Sequence, residues 1–316
     1  MTAEIRILFV ADSHIGFDLP QRPRVARHRR GHDFLANYRT ALGPAMRGEV
    51  DVVVHGGDVF DRSRPVPSTA YQALEPLRRL AASGVPVFIV PGNHERSRIP
   101  HARFALHPNV HLFDRPRSFS LEIRGHRIVL AGFPYERENV RGRFPDLLRE
   151  TGWEDHGADS RLLCMHHCVE GATVGPADFT FTTAADVIRL RDIPSEFRAV
   201  LSGHIHRHQV LTRDLSRRKI PTPVLYPGSI ERTSLAELGE PKGFMMVSLT
   251  DAGASWEFRQ LPTRDIEISA LRPRTNSATA TRLGHRAQNA PRRHQPPLET
   301  SFLFPREEIE PAVRAR

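Results

Sequence analysis

Val52-Val53-Val54-His55-Gly56-Gly57-Asp58-Val59-Phe60-Asp61 changes character within ten residues. The apolar run Val52–His55, bounded by Asp51, is too short for a helix and reads as a buried strand. The two glycines end it and let the backbone come close to whatever lies there. Asp58 therefore leaves the carboxyl end of a strand, where open α/β sheets place their ligands. Its carboxylate has two oxygens and can bridge two cations. Four other short motifs end strands in the same way. Ile5–Ala11 runs into Asp12-Ser13-His14, Val85–Val90 into Pro91-Gly92-Asn93-His94-Glu95, Leu162–Met165 into His166-His167, and Ala199–Leu201 into Ser202-Gly203-His204-Ile205-His206.

Between these strands, residues His32–Arg47 carry Phe34, Leu35, Tyr38, Leu42 and Met46 at helical spacing. Pro65 and Pro67 mark a turn, Ser68 is an N-cap candidate, and a second helix with Tyr71, Leu74, Leu77 and Leu80 on one face runs to Ala82, before Gly84. The order β-α-β-α-β predicts parallel strands covered by helices. Past Val110 the texture changes. Ser118–Ile123 and Arg127–Ala131 read as a hairpin through Arg124-Gly125-His126, and Leu147–Trp153 as a short helix. Val224–Ser229, Phe244–Leu249 and Trp256–Leu261 read as closing strands. The expectation is an α/β fold with two packed sheets, helices outside, and every site motif along one edge. Residues 1–270 make up this domain; 271–316 form a basic, Pro-rich tail whose composition predicts disorder. Its apolar island Ser301–Phe304 is either a docking element or a solvated or back-packed end.

The formal net charge of +9 favours a polyanionic partner such as nucleic acid, although an Arg-rich composition or a basic tail gives the same number. The two cysteines, Cys164 and Cys168, imply no disulfide framework and fit a reducing cytoplasm. No leader pattern opens the chain, and no run approaches the ~18 apolar residues of a membrane span. Cys164 reads as a buried apolar side chain. The basic stretch Arg22, Arg24, Arg27, Arg29 and Arg30 could track phosphates or form a solvated loop.

The strand-end groups are Asp12, His14, Asp58, Asn93, His94, His166, His204 and His206. One such histidine is ordinarily structural. Eight Asp, Asn and His side chains at the ends of five strands are hard to explain as packing, because buried carboxylates and imidazoles need partners that two divalent cations would supply. Asp12 and His14, like His204 and His206, stand two apart and project to one side of an extended segment. Oxygen plus imidazole ligands suit Mn, Fe or Zn.

In these motifs the chain resembles the calcineurin-like metallophosphoesterases: Asp-x-His, Gly-Asp-x-x-Asp, Gly-Asn-His-Glu, His and Gly-His-x-His. The resemblance implies a four-layer α-β-β-α sandwich with two packed mixed sheets. Tyr226-Pro227-Gly228-Ser229-Ile230-Glu231-Arg232 and Glu240-Pro241-Lys242-Gly243-Phe244 look like the DNA-repair nuclease branch that contains the SbcD-like subunits. That branch implies two metal ions, Mn²⁺ by resemblance, one held by Asp12, His14, Asp58 and His206 and the other by Asp58, Asn93, His166 and His204. His166 is preferred to His167 because it directly follows the apolar strand. The metal pair would polarise a phosphodiester and activate water for in-line attack, with His94 contacting phosphate or protonating the leaving oxygen. Asp61 and Glu95 would orient ligand imidazoles or merely cap turns, and Arg62, Arg64 and Arg207 would hold substrate phosphates. The implied partners are DNA, an SMC-like ABC-type ATPase and a second copy of the chain, with no membrane. Some 45 residues follow Leu271, fewer than the branch's usual DNA-reading domain needs, which bears on processive digestion of duplex ends. The rival expectations are a phosphoesterase for a small molecule or nucleotide on the same scaffold, and a binding scaffold with a residual metal site.

Overall fold

The computed structural model describes residues 4–264 except 21, 23, 25, 28 and 97, together with the strands 266–268 and 313–315. The expected tail lies outside these residues apart from 313–315, and its apolar island lies wholly outside them. The chain divides into two compact units, Met1–Thr263 and Arg264–Arg316, a boundary a few residues before the expected one.

In chain order the first unit runs β1 (Ile5–Val10), α1 (Gly31–Met46), β2 (Val52–His55), α2 (Pro67–Ala82), β3 (Val87–Ile89), β4 (Val110–Leu112), β5 (Arg117–Ile123), β6 (His126–Gly132), α3 (Val140–Glu150), β7 (Ser160–Met165), β8 (Cys168–Val169), β9 (Thr173–Val174), β10 (Phe179–Thr180), β11 (Val187–Ile188), β12 (Ala199–Ser202), β13 (Gln209–Arg213), β14 (Lys219–Tyr226), β15 (Gly243–Thr250) and β16 (Gly253–Gln260). In the second unit β17 (Ile266–Ile268) pairs antiparallel with β18 (Val313–Ala315).

Two six-stranded sheets hold the first unit together, in the orders β16-β15-β1-β2-β3-β4 and β13-β14-β12-β7-β6-β5. Both are mixed. β1 to β4 run parallel, and β15 and β16 close that sheet antiparallel. In the other, β6, β7, β12 and β14 run parallel between antiparallel β5 and β13. Period-two alternation sorts the side chains between layers. Ile5, Ile7 and Phe9 join Val52, Val54 and Phe88 on one sheet and Leu130, Leu162, Cys164 and Leu201 on the other in a dry core between the sheets. Leu8, Val10 and Val53 face the opposite way, onto α1 and α2. Leu163, Met165 and Val200 turn outward onto α3 and the loops beside it. Each large aliphatic side chain buried in these layers contributes about 1.5–3 kcal/mol relative to exposure. The result is the expected α-β-β-α order with two mixed sheets. The hairpin also matches, with Arg124 and Gly125 at φ 51° and 77° forming its two-residue turn.

Several expectations need correction. α2 starts at Pro67, not after Ser68, because proline's locked φ suits the first helical position. Met46 and Tyr71 leave the helix faces assigned to them and are 47% and 52% exposed. α3 begins a full two turns before Leu147, capped by the Asn139 side chain accepting from Gly142 N–H; Gly142 and Pro145 disguise it in the sequence. β14 starts at Lys219 and runs through Pro221 and Pro223, which fall where its pairing with β13 shifts register. β4 and β13, short and weakly apolar, go unseen in the sequence pattern.

Candidate metal centre

The parallel strands of both sheets deliver their carboxyl ends to one edge, and there the loops interlock. The ladder between β1 and β2 continues past both strands: Asp12 N–H donates to the Gly57 carbonyl (2.9 Å), His14 to Asp58 (3.0 Å) and Ile15 to Val59 (2.9 Å). Asp12, His14, Asp58 and His204 all take positive φ, at 49°, 42°, 51° and 81°. Such backbone costs about 1–3 kcal/mol per residue and persists only where the surroundings over-determine it. Two glycines allow the crowding. A Cβ on Gly57 would stand 2.3 Å from His166 Nδ1, and one on Gly92 would stand 2.2 Å from Asp58 Oδ1.

The side chains converge on Asp58, which is almost wholly buried. His166 Nε2 lies 3.4 Å from its Oδ2, and His14 Nε2 and His94 Nε2 each lie 3.9 Å from it. On one side Asp12, His14 and His206 group together, with His14 Nε2 and His206 Nε2 3.0 Å apart. On the other, Asn93 Oδ1 lies 3.1 Å from His166 Nε2 and 3.0 Å from His204 Nδ1. His166 is the member of its pair that enters the cluster; His167 instead accepts from Glu136 N–H and stacks on Tyr135.

The donor set fits cations. His166 donates its Nδ1 proton to the Gly56 carbonyl at 2.7 Å, which leaves Nε2 as the ring atom turned to the Asp58 carboxylate, for a proton or a cation between them. His206 turns Nδ1 to Glu237 Oε1 (3.1 Å), so its Nε2 lone pair faces His14. Buried carboxylates facing imidazole nitrogens, with no Lys or Arg among them, need positive charge between them, supplied by ring protons or by a bound cation. His14 adds a buried Nδ1 without a hydrogen-bond partner among the described residues. The groups Asp12–His14–His206, Asp12–Asp58–His166 and His14–Asp58–His94 each have the spacing to hold an ion. Electrostatics agree. Burial pushes the Asp58 carboxyl up, but His166, His14 and His94 outweigh it and hold it well below the usual carboxylate range. Burial lowers His166, yet Asp58 and Asp12 raise it to about 9. Burial, with His166, depresses His204 to about 3.

The sequence profile of the calcineurin-like phosphoesterases matches residues 5–208. The chain belongs to that family. It is 29% identical over 272 residues to the DNA double-strand break repair protein Mre11 of Methanosarcina acetivorans, covering 84% of this chain and 40% of that protein. It is 28% identical to the protein of the same name from Haloferax volcanii, covering 82% and 53%. It is 25% identical to the uncharacterised metallophosphoesterase YhaO of Bacillus subtilis, covering 82% and 61%. The chain thus spans about half the length of the curated relatives it matches. Among solved structures, a candidate 5′-nucleotidase from Staphylococcus aureus superposes with a TM-score of 0.51 at 15% identity, over 82% of this chain and 54% of that one, which bears on the fold alone.

In this calcineurin-like phosphoesterase the outer residues are placed unequally. His94 hangs beside the ligands with Nδ1 2.7 Å from the Asp61 carbonyl and Nε2 toward the cluster. Asp61 orients it through its backbone carbonyl, while its carboxylate sits 3.5 Å from Arg62. Among the described residues Glu95 makes no hydrogen bond to an imidazole of the cluster. It is buried and accepts from the backbone N–H groups of Asp58, Phe60 and Gly92, stapling two site loops together; burial, with Asp58, raises its carboxyl to about 8. Arg62 and Arg64 stand exposed on a loop that faces Arg96 and Arg98, and His94–Asp61 and His101–Pro65 hydrogen bonds join the two loops. Arg207 is committed elsewhere, to Glu240 (2.9 Å), Asp178 (2.6 Å) and the Gly175 carbonyl (2.6 Å). Within the basic stretch, Arg27 and Arg29 pair with Asp18 and Arg30 reaches Glu231, leaving Arg22 and Arg24 exposed.

Sequence reading missed Tyr135, whose ring lies 5.6 Å from that of His204 and walls the site, and Glu237 and Thr233, which hold His206 Nδ1. Tyr135 carried no local signal. Glu237 ends a single 3₁₀ turn, Leu235–Glu237, too short to show a pattern in the sequence, and is recognisable only by its partner.

Proposed function

We propose that this calcineurin-like phosphoesterase is a two-cation phosphodiesterase acting on DNA, an SbcD-like exo- or endonuclease working in the cytoplasm. The observation that carries the hydrolytic part is Asp58, a buried carboxylate reached within 3.9 Å by the imidazoles of His14, His94 and His166, with no Lys or Arg pairing it among the described residues. Asp12, His14, Asp58 and His206 would hold one cation and Asp58, Asn93, His166 and His204 the other. Bound divalent ions, Mn²⁺ in this reading, would supply Lewis-acid polarisation of the phosphodiester and a water acidic enough to attack in line. The chain's own residues do the rest. His94, its Nδ1 fixed by the Asp61 carbonyl, presents Nε2 at the open side of the cluster, where a protonated ring can donate to the leaving oxygen. The glycine-lined loops and Glu95 keep the ligand carboxylates from rotating away.

DNA as the substrate is supported by the names of relatives 28–29% identical over more than four-fifths of this chain, by the net charge of +9, and by exposed Arg62, Arg64, Arg96 and Arg98 on two joined loops beside His94. Arg207, bound to Glu240 and Asp178, stabilises its own loops and is a weaker phosphate contact than Arg62 or Arg64. An SMC-like ATPase and a second copy of the chain complete the proposed partners; exposed Tyr71 on α2, edge-on to Phe104, gives a dimer an apolar face.

The test is hydrolysis with Mn²⁺ of a labelled oligonucleotide beside bis-p-nitrophenyl phosphate. Cleavage of both is expected, and Arg62→Ala combined with Arg64→Ala should weaken oligonucleotide turnover while sparing the small diester. Cleavage of the small diester with the oligonucleotide left whole overturns the assignment to DNA.

A further inference from the structure

The two segments that carry the nuclease resemblance beyond the metal motifs, Tyr226–Arg232 and Glu240–Phe244, contain no candidate ligand, yet both close on His206. Ser229 N–H donates to the His206 carbonyl at 3.0 Å, and Lys242 Nζ donates to the same carbonyl at 2.9 Å. Lys242 is fully buried, which is rare for an ammonium and costly unless each of its protons is matched. They are matched: besides the carbonyl, Nζ meets Glu237 Oε2 at 2.6 Å and Glu240 Oε2 at 3.1 Å. Glu240 is held in turn by Arg207. Glu237 uses its other oxygen to take a hydrogen bond from Thr233 Oγ1 at 2.6 Å and from His206 Nδ1 at 3.1 Å.

We infer that Lys242 and Glu237 are positioning residues for the cation on the His206 side: Lys242 fixes Glu237, and Glu237 fixes the tautomer and orientation of His206. The inference rests on the two-cation reading above. With Nδ1 committed to the carboxylate, the Nε2 lone pair points at His14 and is available to an ion, and a carboxylate behind a ligand imidazole makes it a stronger donor. Lys242 holds the backbone and the supporting carboxylate of the same ligand, so ring and main chain cannot move independently. Its charge also offsets the negative charge of Glu237, leaving the carboxylate's position rather than a free anion beside the site.

The test is Mn²⁺ binding to the metal-stripped chain by chelator competition, before any activity is measured. The native chain should bind two ions. Lys242→Met should weaken one of them by about tenfold to a hundredfold, leave the other near its native affinity, and recover turnover when Mn²⁺ is raised. Should Lys242→Met fail to fold, Glu237→Gln keeps the shape and gives the same readout. Two native affinities in the variant, or both falling in step with the melting temperature, overturns the positioning role and leaves the two-cation reading intact. A native chain that binds no Mn²⁺ overturns that reading itself.

Discussion

One four-residue strand, β2, has an aspartate at each end, and the two have opposite fates. Asp51, at the amino end, takes a bidentate pair of hydrogen bonds from Arg124 at 2.8 and 2.6 Å and accepts Arg6 N–H at 2.8 Å. Its charge is met by a guanidinium at a partly exposed corner, and it sews the start of the strand to the hairpin turn. Asp58, at the carboxyl end, sits on strained backbone, buried, among imidazoles whose ring nitrogens face it. A carboxylate answered by arginine is a structural tie. A buried carboxylate ringed by imidazoles, its only amide partner the His94 N–H among the described residues, has the makings of a cation site. The two ends differ because parallel strands gather all their following loops at one edge, so the motifs of both sheets meet at one end while the other end meets only a turn.

Exchanging the two aspartates for asparagine should break or confirm this contrast most sharply. Asp58→Asn should cut phosphodiester hydrolysis by about three orders of magnitude or more, since it removes the anion shared by both cation groups. Asp51→Asn should leave hydrolysis unchanged and cost about 1 kcal/mol in denaturant unfolding. Equal loss of activity in both variants would dissolve the distinction. A smaller effect separates the roles within the site: His94→Ala should lower turnover by about a hundredfold to ten-thousandfold while metal analysis still counts two ions. Loss of an ion in that variant would make His94 a ligand, as its proximity to His14 and Asp58 permits.

The smallest effect concerns pH. The folded His166 is raised to about 9 from an ordinary 6.5, so the stability it contributes is complete below pH 6.5 and is lost as pH rises toward 9. Glu95, raised to about 8, works in the same direction over pH 4.5–8, because its ionisation is disfavoured in the fold. The metal-stripped chain should therefore melt a few degrees lower at pH 9 than at pH 6.5. A chain loaded with Mn²⁺ should lose less over that interval, because the ion replaces the proton at His166 and only the Glu95 part remains. A metal-stripped melting point that rises over that interval would contradict the charge pattern drawn for the cluster.

The candidate site was legible because its residues lie within a few positions of strand ends, and short apolar runs closed by Gly, Asp, Asn and His are local patterns. Asp12, His14, Asp58, Asn93, His166, His204 and His206 all arrive in one cluster. Less legible was anything whose meaning depended on a distant partner. Arg207 looks like a phosphate contact beside Gly203-His204-Ile205-His206, and only the approach of Glu240 and Asp178 shows where its guanidinium goes. Glu95 looks like a partner for an imidazole, and only the fold shows three backbone amides closing on it. In α3 and β14, glycine and proline hid real elements, because burial of Phe144 and Leu147, or of Val224 and Leu225, outweighed the local propensity.

Sequence alone determined the alternation of buried strands with helices, the edge at which the Asp, Asn and His side chains gather, and the kind of side chain found there. Each of these depends on neighbours a few bonds away. Tertiary structure alone decided that the Asp61 carbonyl orients His94 and that a buried lysine, 36 residues past His206, stands behind it. Those contacts join residues far apart in the chain, and their geometry exists only once the loops at the strand ends have come together.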